Sequence, residues 1–142
     1  MSQSLHDVRQ LRVFQGAYSL IKDIHQTTKT FPREERYALT DQIRRSSRSI
    51  CSNLAEAWFK RRYPRAFVSK LSDAGGEASE TLIWIDMAQD FGYLDAATAD
   101  DWRNRLAPVI GGLIKMMASP EQWCIPGTVR EPDVEYTIDD DI

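Results

Sequence analysis

The chain has 142 residues, of which 42% are hydrophobic and 27% charged, and its formal net charge is −3. This length suits one domain with a packed core, and the absence of any apolar run of about 18 residues argues against a membrane span. The charge is unevenly placed: residues 119–142 carry seven acids and one base, Arg130, while residues 33–70 carry ten lysines and arginines against four acids.

The opening stretch MSQSLHDVRQ lacks the basic-then-apolar order of a secretory signal. A first helix is expected from about Asp7 to Thr28, because Leu11, Phe14, Ala17, Tyr18, Ile21 and Ile24 recur at three and four. Thr27, Thr28 and Thr30 then weaken the helix, and Phe31-Pro32 closes the connection.

Pro32 suits the first turn of a second helix, with Glu34 and Glu35 at its positive end. Tyr37, Leu39, Ile43, Ser47, Ile50, Leu54 and Trp58 carry its apolar face to about Phe59. The serines from Ser46 to Ser52 and Asn53 are poor helix formers, so this middle either bends or allows close approach of a neighbour. Thr40 and Asp41 offer an alternative start to the helix.

After the turn Lys60-Arg61-Arg62-Tyr63, Pro64 starts a third helix, patterned by Phe67, Val68, Leu71, Ala74, Ala78, Leu82, Ile85 and Ala88. Gly75-Gly76 in its interior predicts a kink or a close backbone neighbour. Ile83, Trp84 and Met87 widen the apolar surface beyond one core stripe, which suits either a broad core or a subunit contact. Gly92 is the expected left-handed terminator.

Thr98 is the expected cap of a fourth helix, with Asp100 and Asp101 in its first turn. Trp102, Leu106, Val109, Ile110, Leu113, Ile114 and Met117 form its stripe, and Pro108 should bend or break it. Short turns between four amphipathic helices imply an all-α, antiparallel up-and-down four-helix bundle over residues 1–118. Residues 119–142 read as a separate, acidic, disordered tail.

Arg44, Arg45 and Arg48, with Lys60, Arg61, Arg62 and Arg65, are the candidate nucleic-acid contacts, since a guanidinium can donate two parallel hydrogen bonds to phosphate. The plain alternative is a solvated basic face. A further alternative is that the acidic tail docks there. Trp58, Trp84 and Trp102 read as core or interface rather than base-stacking rings. No histidine is placed to activate a serine, and neither His6 nor His25 follows a glutamate by three, so no catalytic or metal centre is expected and no cofactor is implied. Cys51 and Cys124 have no ligand or disulfide spacing, and a cytoplasmic setting is the simplest.

Phe31-Pro32-Arg33-Glu34-Glu35-Arg36-Tyr37-Ala38-Leu39-Thr40, then Gln42-Ile43-Arg44-Arg45-Ser46, then Ser49-Ile50-Cys51-Ser52-Asn53-Leu54-Ala55-Glu56-Ala57 form an ordered set. It resembles the family of four-helix proteins encoded by intervening sequences in bacterial 23S ribosomal RNA genes. Leu11-Arg12-Val13-Phe14-Gln15 resembles that family's opening. Phe67, Leu71, Ala74, Gly76 and Glu80 match its third helix, and Gly92-Tyr93-Leu94 its last turn. Ala38, Cys51 and Ala57 depart from its usual glycine, proline and glycine. The resemblance implies a non-enzymatic homo-oligomer, favouring a pentamer, with an unassigned role. It also implies that Asn53, Glu56 and Glu80 are used positions, read here as structural polar groups with Arg44 or Arg45 as partners. The family is similar to accessory proteins of diversity-generating retroelements, basic pentamers associated with nucleic acid and a reverse transcriptase, but no residue requires this chain to share that partnership, and RNA or DNA as a partner rests on the basic clusters. A protein partner without nucleic acid is the alternative.

Overall fold

In a computed structural model, residues 7–125 are described. They form four α-helices: α1 (Arg12–Thr27), α2 (Leu39–Phe59), α3 (Pro64–Asp90) and α4 (Ala96–Ala118). Among the described residues there is no strand. Each helix packs on the next in the chain, and α4 packs back on α1, which closes an antiparallel up-and-down bundle. One end of this bundle therefore gathers the start of α1, the α2–α3 turn and the end of α4.

The helix boundaries follow local chemistry that periodicity does not reveal. Asp7 caps a short 3-10 turn, Val8–Gln10, and accepts a bond from the Arg9 amide. Leu11 is extended and buried, so α1 begins at Arg12, five residues later than its stripe suggests. Likewise, Pro32 precedes only a single 3-10 turn, Arg33–Glu35, and α2 starts at Leu39 after a break at Ala38. Tyr37, expected on the apolar face, lies in that break and is 83% exposed. Asp95, not Thr98, caps α4, accepting from the Thr98 amide at 2.7 Å.

The serine-rich middle of α2 neither bends nor breaks. Ser46 and Ser47 are buried, and Ser46 Oγ lies 2.8 Å from Thr81 Oγ1 of α3, so two small hydroxyls satisfy each other where large side chains would hold the helices apart. Thr81 also donates to the Glu77 carbonyl at 2.8 Å. Gly75-Gly76 likewise leaves α3 continuous, and a Cβ added at either would meet nothing within 4 Å, so no backbone crowds them. The close approach falls instead at Gly112 of α4, where a Cβ would sit 2.2 Å from Val13 Cγ1 of α1. α4 is also continuous through Pro108, which is exposed on the helix surface.

Gly92 terminates α3 with φ +80°. The Tyr93 amide donates to the Ala88 carbonyl at 2.8 Å and the Gly92 amide to Gln89 at 3.0 Å, which satisfies the last carbonyls of α3. Trp102, Phe67, Ile43, Ile50, Leu54, Leu71, Ile85 and Leu106 fill the core. Beyond α4 a 3-10 turn, Pro120–Gln122, leads to Trp123, whose ring meets Trp58 edge-on at 6.3 Å. The Ile125 amide donates to the Arg61 carbonyl at 3.2 Å, so the chain stays packed on the bundle end through that residue. The rest of the acidic segment, from residue 126 on, lies outside the described residues.

Candidate nucleic-acid interface

α2 carries the candidate cations to two separate places. Arg44, Arg45 and Arg48 lie in its first half, and Lys60, Arg61, Arg62 and Arg65 surround the turn to α3. Arg48 and Lys60 are separated by about 18 Å along the axis, at ~1.5 Å per residue.

The first group divides again. Arg44 turns toward α1, where its Nε donates to Thr28 Oγ1 at 2.8 Å and its Nη2 to the His25 carbonyl at 3.3 Å. Arg48 Nη2 lies 3.3 Å from His25 Nδ1. Partial desolvation, then Lys29, Arg44 and Arg48, push the His25 pKa below its ordinary value. The ring is thus neutral at pH 7, and Nδ1 can accept from Arg48.

Arg45 projects the other way. Its Nη2 donates to Glu80 Oε1 at 2.5 Å, and its Nη1 lies 3.3 Å from both oxygens of Glu77. The Glu80 hydrogen bond is the main cause of its raised pKa. Arg45 is therefore a strut between α2 and α3, and it supplies the carboxylate partner. Glu80 Oε1 also accepts from Trp84 Nε1 at 3.2 Å. Glu56 pairs with Lys70 at 2.9 Å, a bond that lowers the Glu56 pKa. Asn53 donates to the Ser49 carbonyl at 2.9 Å within its own helix. Asn53, Glu56 and Glu80 are thus engaged separately and do not converge on one pocket.

At the α2–α3 turn, the Arg61 guanidinium stacks 3.8 Å from the Trp58 ring centroid, and its Nε donates to the Trp58 carbonyl at 2.9 Å. Burial there lowers the Arg61 pKa. Lys60, Arg62 and Arg65 complete the turn, and the antiparallel order brings Arg12 and Lys115 to the same end of the bundle. These two line a groove of about 650 Å³ between α1 and α4, together with Gly16, Gly112 and Pro108. Sequence reasoning missed both, since neither belongs to a cluster of cations along the chain. Among the described residues no ion pair engages Arg12, Arg62 or Lys115.

Other chemistry is sparse. Among the described residues no group of three His, Cys, Asp or Glu side chains is placed to hold a metal ion. Burial pushes the Cys51 thiol up to about 12, which keeps it protonated and poorly nucleophilic. No helix is long and apolar enough to cross a membrane, among the described residues.

The model of the 23S rRNA-intervening sequence protein family matches residues 9–115. No curated protein matches the chain. The fold is similar to a crystal structure from Bacteroides thetaiotaomicron, of a protein of unknown function from a ribosomal protein family. That likeness has a TM-score of 0.68 at 24% identity, over 75% of this chain and 95% of the other. The chain belongs to the 23S rRNA-intervening sequence protein family.

Proposed function

We propose that this family member is a non-enzymatic bundle that self-associates and binds nucleic acid through the end formed by the α2–α3 turn. The observation that carries the reading is the gathering of Arg12, Arg62 and Lys115 at that end, without ion pairs among the described residues, beside Lys60 and Arg65. Cations already held by carboxylates have little left to offer a phosphate, whereas unpaired ones can replace its counterions. Arg44 and Arg48, with Lys29, form a second and smaller group beside His25. Cys51 and Cys124 form no disulfide among the described residues, which is in keeping with a cytoplasmic setting.

Self-association is supported by the outer face of α3, where Ile83, Met87 and Phe91 recur every four residues and are 52%, 37% and 57% exposed. The small Ser72, Gly76 and Ser79 continue this face along the helix, and a second copy is the occupant it suits. The family resemblance favours a pentameric ring, which requires a head-to-tail contact between unlike faces. A pure protein-assembly module is the second reading, favoured by this same face. Solution mass and titration with single-stranded RNA and duplex DNA test both. The proposal expects an oligomer whose nucleic-acid affinity falls steeply with salt. An oligomer with no salt-dependent affinity leaves only the second reading, and a monomer without affinity removes both.

A further inference from the structure

A block of acids lies in the chain's own continuation from the basic end of the bundle. Ile125, the last described residue, is bonded to Arg61 at that end. The next seventeen residues, 126–142, carry Glu131, Asp133, Glu135, Asp139, Asp140 and Asp141 against the single base Arg130. Their reach is sufficient. Six residues can span about 20 Å, whereas neighbouring helix axes in a bundle lie roughly 10 Å apart. Glu131 can therefore meet any of the four helix termini at this end, and the acids after it extend further still. The opposite end is mixed: Lys29, Arg33 and Arg36 lie on its α1–α2 side beside Glu34 and Glu35, and Asp86, Asp90, Asp95, Asp100 and Asp101 crowd its α3–α4 side.

A second feature marks the same spot. Trp58 Nε1 is buried and finds no acceptor among the described residues, although its ring is covered by Arg61 on one side and Trp123 on another. Such a donor is stabilised when an acceptor reaches it. It therefore responds to any acceptor brought to this end.

We propose that residues 131–141 dock on the bundle end formed by Arg12, Arg62 and Lys115, and compete there with external polyanions. The contact is electrostatic and intramolecular. A tethered segment has an effective concentration on the order of millimolar, so a tail affinity of about 0.1 mM masks the end roughly tenfold. This rests on the basic end described above, but not on nucleic acid being its biological ligand.

The test uses the full chain. A nitroxide is attached at Thr137→Cys in a Cys124→Ser background, where the buried, protonated Cys51 does not label. At low salt, the amides of Arg12, Arg62 and Lys115 and the Trp58 indole N–H should broaden, and those from Asp86 to Asp101 should not. Replacing the six acids by their amides, or adding about 0.5 M salt, should abolish the broadening, because that salt shortens the Debye length to roughly 4 Å. Broadening that is absent, spread over both ends, or unchanged by neutralising the acids overturns the proposal. A parallel titration with heparin separates this inference from the proposed function. Neutralising the tail should raise heparin affinity about tenfold, and an unchanged affinity overturns the competition. If neither form binds nucleic acid but the broadening is selective, the nucleic-acid reading fails and the docking stands. If nucleic acid binds but no selective broadening occurs, the reverse holds.

Discussion

The same residue types serve opposite ends at the seams of this bundle and on its outer surfaces. At the α2–α3 seam Arg45 is consumed by Glu77 and Glu80, while Arg62 at the bundle end meets no carboxylate among the described residues. At the α1–α4 seam Gly112 makes room for Val13, while Gly76 on the outside of α3 makes room for nothing among the described residues. A count of arginines or glycines along the sequence therefore says little about what each does. What decides is whether a neighbouring helix already occupies the space or the charge.

Paired substitutions should break this comparison if it is wrong. The largest contrast is expected between the glycines. Gly112→Ala should destabilise the bundle by about 1–3 kcal/mol, because Val13 is stiff in a helix and must shift. Gly76→Ala should instead stabilise the helix by ~0.5–1 kcal/mol. Urea midpoints at fixed protein concentration measure both, and a loss of stability at Gly76 would show that its face is covered by another copy.

The arginines give the next contrast. Arg62→Glu combined with Lys115→Glu should weaken binding of single-stranded RNA at least tenfold with little change in thermal midpoint. Arg45→Ala should leave affinity within about twofold and lower stability by roughly 1 kcal/mol, as exposed ion pairs are worth little and two carboxylates are left facing each other. Equal loss of affinity in both variants would erase the distinction between held and available cations.

Buried hydroxyls sharpen the seam side of the comparison. Thr81→Val should cost about 1–2 kcal/mol by leaving Ser46 Oγ without its partner, and Ser46→Ala in the same chain should recover part of that loss. Chemical denaturation of the two single variants and the double variant measures the coupling.

The smallest effect concerns His25. Its folded-state pKa lies below the ordinary 6.5, so the unfolded chain takes up the proton first. Stability should be flat above pH 6.5 and fall as the pH drops through 6.5 toward the folded value, and His25→Gln should flatten that fall. An NMR titration that places His25 at or above 6.5 would contradict the cationic surroundings assigned to it.

Much of this architecture is legible in the residue pattern. The stripe from Leu11 to Ile24, the proline at Pro64 and the terminator Gly92 report local backbone preferences and burial, and those are encoded nearby in the chain. The starts of α1 and α2 are less legible, because Leu11 and Ala38 are set by short 3-10 turns that compete with helix over a few residues. The candidate interface is legible only in part. The basic character of the α2–α3 turn is written in consecutive residues, but Arg12 and Lys115 join it through the antiparallel topology. The pairing of Arg45 with Glu77 and Glu80 likewise depends on register between two helices, and the need for Gly112 depends on Val13 almost a hundred residues away.

The most direct test of the central claim is the salt dependence of single-stranded RNA binding by the wild-type chain and by the Arg62→Glu, Lys115→Glu variant. If these cations neutralise phosphates, the slope of log affinity against log salt should shrink by about 1.4, roughly 0.7 for each cation removed on a single strand. An unchanged slope, with affinity still retained, would contradict the assignment of the bundle end as the nucleic-acid interface.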